Sequence, residues 1–402
     1  MRYFADEVTP GSGLEMSGKR KIALVLGGGG ARSAYQAGFL RYIGKRIPDL
    51  RFSILCGTSA GAINAVHLAR HQGSLAESSS DLKKLWSKLT VDQVFEASTF
   101  SLASMVTRWG LKLLSGGSSL APTIRGLVDT NPLRKYLTNE TQCLANGKIP
   151  GIEENILRGK LDALAITTTD YNSGRSVTWI HGNDAHPWQR TNRSGIETKI
   201  RLDHILASCA IPLVFPAVKV EGCWHGDGGG RLTTPLSPAM HLGAEKILAI
   251  STRYLPNGTL PPIETEGSYP PPAQVAGVLM NAIFLDSLDY DATNVQRFNK
   301  LLEKLPEEDR MGFRPVDMLT ARPSEDPGLL AGQFEPELPG PFRFMERGLG
   351  THDSKGSDLL SLLMFQPEYV QALISMGEKD ARERADELIP FLQDEPKTVH
   401  KS

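Results

Sequence analysis

The sequence has no excess of either charge: 44 Lys and Arg stand against 45 Asp and Glu, a formal net charge of −1. Nucleic-acid-binding domains usually carry a basic surplus, so no nucleic-acid partner is expected. Cysteine is scarce. Cys56, Cys143, Cys209 and Cys223 are widely spaced and form no CxxC pair. That argues against a disulfide framework and a zinc site, and suits a reducing compartment. Long apolar runs are missing too. No stretch reaches the ~18 apolar residues of a membrane-spanning helix. The opening "MRYFADEVTPGSGLEMSGKRK" lacks the apolar centre of a signal peptide. The expectation is a cytoplasmic protein whose only membrane contact is peripheral.

What is present is enough apolar material for a large core: 40% of 402 residues. Residues 1–19 are polar and glycine-containing and read as a flexible segment. "KIALVL" (21–26) is a short apolar run closed by glycine, the mark of a buried strand. A helical pattern follows from Arg32, with Tyr35, Phe39, Tyr42 and Ile43 on one face. "RFSILC" (51–56) repeats the theme: a buried strand, the turn "GTSAG", then a helix with Ala62, Ala65, Val66 and Ala69 on one side. Two strand–turn–helix units within 50 residues predict a mostly parallel sheet with helices on both faces, an α/β/α sandwich.

Further along, residues 75–150 read as a helical cap or insert. "LDALAITTTD" (161–170) and "RSVTWIHG" (175–182) read as strands joined by the turn "YNSG". "RLDHILASCAIPLVFPAVKVEGCWHGDGGG" (201–230) opens as a short helix, which Pro212 and Pro216 end, and continues as a strand or hairpin into a glycine turn. "KILAIST" (246–252) is another buried strand. These define an α/β domain over 20–255. Residues 256–402 are expected to be mostly helical. One amphipathic helix over 281–304 carries Phe284, Leu288, Val295, Phe298 and Leu302 at helical spacing. A Pro/Gly-rich linker is expected near 321–341, and two or three helices over 357–392.

Three glycine-bearing turns carry the chemistry. Gly57-Thr58-Ser59-Ala60-Gly61 is G-x-S-x-G, and at the junction of a buried strand and a helix this spacing exposes a serine hydroxyl. The dipole of the following helix favours an anion there. The same residues would also serve as an ordinary helix N-cap. Ahead of it, "LGGGGARS" closes the first strand. In a parallel sheet, neighbouring carboxyl-end turns come together, so side-chain-free Gly28, Gly29 and Gly30 could aim amides at an oxyanion beside Ser59. A flexible turn is the plain alternative. A dinucleotide fingerprint would need a third glycine where Ser33 stands, and a phosphate loop would need G-K-[ST]. The third turn is "HGDGGG", with Asp227 between glycines. Asp-Gly also marks an ordinary turn. A serine needs a base. Asp227 is the best acid, His204 and His225 precede it, and His241 or His352 could complete a triad in hydrolase order.

Taken together, the ordered trio resembles the patatin-like phospholipase family: Gly28-Gly29-Gly30-Ala31-Arg32-Ser33, Gly57-Thr58-Ser59-Ala60-Gly61, and Asp227-Gly228-Gly229. "ASCAIPLVFPAV" (207–218) also looks like the family's segment ahead of the aspartate turn. The resemblance spans about 21–252. It implies a serine–aspartate dyad without histidine, metal or cofactor. Ser59 would be the nucleophile and Asp227 the proton acceptor. The amides of Gly28, Gly29 and Gly30 would form the oxyanion hole, with Arg32 supporting the loop or the anion. Gly57, Gly61, Gly228 and Gly229 would keep the turns uncrowded. Ser33 departs from the family's glycine, and a position requiring positive φ would be strained there.

The activity implied is hydrolysis of carboxylic esters in phospholipids or lysophospholipids, with cap helices from 75–150 lining an acyl channel. In "SMVTRWGLKLL" (104–114), Trp109 and aliphatics alternate with Arg108 and Lys112, a composition suited to a membrane interface. A lid helix on the core or part of a homodimer surface is the alternative. Two other readings stand beside the dyad enzyme: a Ser-His-Asp triad esterase, and a catalytically silent member that binds lipid or a partner.

Overall fold

A computed structural model describes residues 20–96, 126–183, 187–256, 272–284, 287–334 and 358–393. Among them, ten strands join in one sheet: eight in the order β10-β9-β1-β2-β3-β4-β6-β5, with β8 and β7 branching off β3. In chain order they are β1 (Ile22–Leu26), β2 (Ile54–Thr58), β3 (Ala163–Asp170), β4 (Arg175–Gly182), β5 (Trp188–Gln189), β6 (Arg193–Glu197), β7 (Val218–Val220), β8 (Cys223–Asp227), β9 (Lys246–Ile250) and β10 (Asp317–Ala321). The run β10-β9-β1-β2-β3 is parallel throughout. β4 turns back on β3 as an antiparallel hairpin. β8 also pairs antiparallel with β3, placing Thr168 opposite Asp227, and carries β7 as its hairpin partner.

The central strands are apolar on both sides because both faces are covered. Along β1, Ile22, Leu24 and Leu26 enter the larger core with Phe39, Leu40 and Ile43. These last three lie on α1 (Ala34–Arg46), which α2 (Ala60–Arg70) and α3 (Leu75–Lys88) follow in the chain. Ala23 and Val25 face the other way, toward Leu236, Ala239, Leu288, Ala292 and Val295. The period-2 alternation of strand side chains thus divides one strand between two cores, and the result is the expected three-layer α/β/α sandwich with a mixed, mostly parallel sheet.

The sheet does not stop at residue 255. β10 adds a fifth parallel strand beyond β9, and helix Pro367–Glu383 lies along α1, where Gly38 and Gly377 let the two backbones touch. Two local expectations are corrected. The stretch 321–341, read as a linker, starts with the last residue of β10 and carries a helix, Pro327–Phe334. Pro327 is the first helical residue, where a missing N–H costs nothing. Asp326 accepts the Gly328 amide at 2.7 Å, so Asp-Pro-Gly starts a helix rather than a loop. The helix expected over 281–304 runs from Ser287 to Leu302, while 281–284 end another, Pro272–Phe284. Three helices, Asp358–Leu363, Pro367–Glu383 and Ala385–Gln393, occupy the region read as two or three.

Candidate active site

The carboxyl ends of β1, β2, β8 and β9 meet at one site. β2 ends at Thr58 and α2 begins at Ala60, leaving Ser59 alone on the turn with φ 55° and ψ −134°. Positive φ in a residue with a Cβ is strained, and here it turns the hydroxyl out of the strand line. Ser59 Oγ donates to Asp227 Oδ2 at 2.6 Å, so a strand–turn–helix unit and a hairpin end 168 residues later meet at one hydrogen bond.

Asp227 is the last residue of β8, with no solvent exposure. Its second carboxylate oxygen accepts the Gly229 amide at 2.8 Å. The Thr169 hydroxyl donates to the Asp227 carbonyl at 2.7 Å, and the Asp227 amide donates to Ala210 O at 2.9 Å. Burial raises its pKa from 3.8 to about 7, against the two hydrogen bonds that favour the charge. The group therefore titrates where a general base needs to.

The first glycine turn lies directly against Ser59. A Cβ at Gly28 would stand 2.8 Å from Ser59 Cβ, so no other residue fits there without moving the serine. Among the described residues, the amides of Gly28, Gly29 and Gly30 have no protein acceptor. Gly57 and Gly61 sit where β2 and α2 close on each other, Gly61 beneath the carbonyls of Leu26 and Gly27. Gly228 packs against the Thr167 backbone. Ser33 is ordinary αR backbone, φ −67° and ψ −9°. The positive-φ positions fall at Gly29 and Gly30, so serine in place of glycine introduces no strain.

Arg32 is 2% exposed and its guanidinium is engaged with helix Asp358–Leu363. Nε donates to Ser361 Oγ at 2.6 Å, and Nη2 to Asp358 Oδ1 at 2.7 Å. Of the two roles considered for it, these contacts favour the loop over the anion.

The histidines take other partners. His241 bonds with Ser237 and stacks on Trp188. His225 shares a 3.1 Å hydrogen bond with Thr168 and meets the edge of Trp179, and burial lowers its pKa. His204 also packs on Trp179 and is lowered by burial to about 4. His352 and the 104–114 stretch with Trp109 lie outside the described residues.

Two groups of supporting residues escaped the sequence reading. From helix Leu202–Ser208 and the residue after it, Ser208 Oγ accepts the Ser59 amide at 2.9 Å and donates to Thr167 O at 2.7 Å, while the Cys209 thiol donates to Ser59 O at 3.1 Å. Burial pushes that thiol's pKa up. The strained serine is thus held at both its N–H and its C=O. Under the glycine turn, Trp86 Nε1 donates to Asn64 Oδ1 (2.7 Å). Asn64 Nδ2 donates to Gln36 Oε1 (2.8 Å) and Ser33 O (3.1 Å). Gln36 Nε2 donates to Gly27 O and Ile250 O, both at 2.9 Å. Thr252 Oγ1 donates to Gly28 O at 2.5 Å. Gln36 is the lone amide among the buried apolar residues Phe39, Leu40 and Ile43 on its face of α1, a signal that was legible.

A buried serine, 5% exposed, on a strained elbow contacts a buried carboxylate beside amides with no protein acceptor among the described residues, an arrangement compatible with serine acyl-hydrolase chemistry. The patatin-like phospholipase family model matches residues 24–240, more than half of the chain, and the chain belongs to that family. Membership implies lipid ester hydrolysis. No curated protein matches it in sequence. Among solved structures it is similar to VipD from Legionella pneumophila, at 12% identity and a TM-score of 0.40, over 94% of this chain and 67% of that one. Human GIVD cytosolic phospholipase A2, in complex with methyl gamma-linolenyl fluorophosphonate, gives 12% identity and a TM-score of 0.41, over 94% and 59%. The type III effector protein ExoU gives 13% and 0.35, over 94% and 53%. This chain therefore spans between 53% and 67% of their lengths. Among the described residues, no helix is long and apolar enough to cross a membrane.

Proposed function

We propose that the chain is a phospholipase A or lysophospholipase that works through a Ser59–Asp227 dyad in a catalytic unit spanning 20–255. The observation that carries the reading is the 2.6 Å hydrogen bond from a positive-φ Ser59 to a wholly buried Asp227. Ser59 Oγ attacks the acyl carbon while its proton passes to Asp227. Charge collects on the former carbonyl oxygen, where the amides of Gly28, Gly29 and Gly30 receive it in place of water. The tetrahedral species collapses to the acyl-enzyme, and the leaving alcohol takes the proton from Asp227. Water then gives a proton to Asp227 and attacks the acyl carbon, and as the Ser59 Oγ–acyl bond breaks Asp227 returns that proton to Ser59 Oγ, releasing the fatty acid and restoring the dyad. In this reading Arg32 holds the glycine turn, and the substrate comes from a membrane surface that the protein meets peripherally.

The test is labelling with a fluorophosphonate serine probe, read by peptide mass spectrometry, in the parent chain and in Ser59→Ala and Asp227→Asn. The expected result is an adduct on Ser59 alone, lost in the first variant and slowed by at least a hundredfold, on the order expected for loss of a general base, in the second. A folded Asp227→Asn protein labelled at the parental rate would reject the dyad. A folded parent chain without adduct would favour a silent, lipid-binding member of the family.

A further inference from the structure

The glycine turn presents a positional problem. Residues 27–30 have no side chains, so nothing within the turn can anchor it, yet it must stand beside Ser59 to within a fraction of an ångström. Gln36 and Thr252 hold its carbonyls from below. On its other side the turn touches helix Asp358–Leu363, which lies beyond the residues the family model covers.

Contact is made at two points. Gly30 adopts φ 53°, and the Leu362 carbonyl occupies the place its Cβ would take. Two residues on, Arg32 closes a short turn, its amide donating to Gly29 O at 3.0 Å, so the arginine's position and the glycine amides move together. Its guanidinium is out of water and needs a counter-charge to stay there. Asp358 supplies it at 2.7 Å and adds its carbonyl at 3.2 Å, while Ser361 Oγ receives Nε at 2.6 Å. The planar fork of arginine makes this a directional clamp rather than a point attraction. The helix is itself fixed. Leu360 and Met364 are buried, and the Tyr369 hydroxyl reaches both Pro327 O and Ser361 O, at 3.0 and 3.5 Å.

We infer that Asp358 and Ser361 are positioning residues for hydrolysis: through Arg32 they set where the glycine-turn amides stand relative to Ser59. The inference rests on the proposed function of that serine. It assigns to the C-terminal region a part in catalysis without a residue that touches substrate.

The experiment uses the full chain, with Asp358→Asn, Ser361→Ala and Asp358→Glu. It measures kcat and KM on a water-soluble acyl ester, the rate of fluorophosphonate labelling at Ser59 per folded molecule, and amide hydrogen exchange over residues 28–33. Loss of the clamp is expected to lower kcat and the labelling rate together by about tenfold or more, a displacement costing less than the roughly hundred- to thousandfold of removing an oxyanion donor outright. KM should stay within about twofold. Amide exchange over the turn should quicken, and Asp358→Glu should recover part of the rate. Folded Asp358→Asn and Ser361→Ala proteins with parental kcat, labelling and exchange would overturn the inference. So would a fall in melting temperature with an unchanged rate per folded molecule. Should Asp358→Asn fail to fold, Ser361→Ala decides alone by the same criteria. If the folded parent chain takes no label, the serine reading has failed. The exchange data then decide separately: faster exchange in the variants retains the clamp, and unchanged exchange removes it.

Discussion

The two glycine-rich turns that face Ser59 are held in opposite ways. The turn at 27–30 has no side chains and borrows its position from Gln36, Asn64, Trp86 and Thr252 below it and from the Arg32–Asp358 clamp beside it. The turn at 226–230 carries its own anchor. Asp227 is fixed by its carboxylate, which bonds to Ser59 and Gly229, and by backbone pairing with β3. If, as proposed, the working groups of the first turn are backbone amides, precision has to come from the surroundings. Where the working group is a side chain, the same atoms can react and locate the turn. Damage should therefore spread differently: sharp and chemical at Asp227, graded and mechanical around the first turn.

The sharpest break in that comparison is Asp227→Asn, which should lower turnover on the order of a thousandfold by removing the proposed base. Its effect on stability should run the other way. The Asp227 pKa is raised by burial from 3.8 to about 7, so the folded protein holds a proton that the unfolded chain has already released. The stabilisation from that proton is complete below about pH 4 and is lost as pH rises through about 7. Asparagine suffers no such loss. Relative to the parent, the variant should gain up to a few kcal/mol across that interval, measurable by urea unfolding at pH 5 and pH 8. Parental activity should rise through the same interval as the carboxylate forms. A variant equally destabilised at both pH values would mean that Asp227 is a structural acid rather than a strained base.

Asn64→Ala tests the other turn. It strands the Trp86 indole N–H and the Gln36 amide oxygen in a dry interior, which should cost about 2–3 kcal/mol. Turnover should fall by about tenfold or less as the support under Gly27 loosens. The pH dependence should stay that of the parent, because Asp227 keeps its partners. A shifted acid limb in Asn64→Ala would show that the two turns are not mechanically separate.

How far these features were legible in the sequence follows from how local they are. "KIALVL", "RFSILC" and "GTSAG" announce strands and a turn within a few residues, and the sheet formed where they predicted it. The convergence of Ser59 with Asp227 depended on family resemblance, since nothing local ties residues 168 apart. Apart from Arg32, the supports were not read. Ser208 reaches the Ser59 amide across 149 residues, and Ser361 reaches Arg32 across 329. A serine that accepts a single backbone N–H has no pattern of its own. β10 was missed for a related reason. "DMLTA" is too short to show a period, and only β9's open edge makes it a strand.

The smallest effect is predicted at Ser33, where this sequence departs from the family's glycine. Its backbone is ordinary αR, so glycine would relieve no strain and would free the unfolded chain, a loss of roughly 0.5–1 kcal/mol. Against that, Ser33 Oγ is buried without a hydrogen-bond partner, and deleting an unsatisfied hydroxyl recovers part of a desolvation cost of about 1–3 kcal/mol. The two terms oppose each other, so Ser33→Gly should change stability by less than about 1 kcal/mol. Turnover should stay within about twofold, since the Ser33 carbonyl keeps its bond to Asn64. A large loss of turnover with stability unchanged would locate a role for the hydroxyl itself. The buttress would then work through a side chain at the turn's end as well as through the scaffold around it.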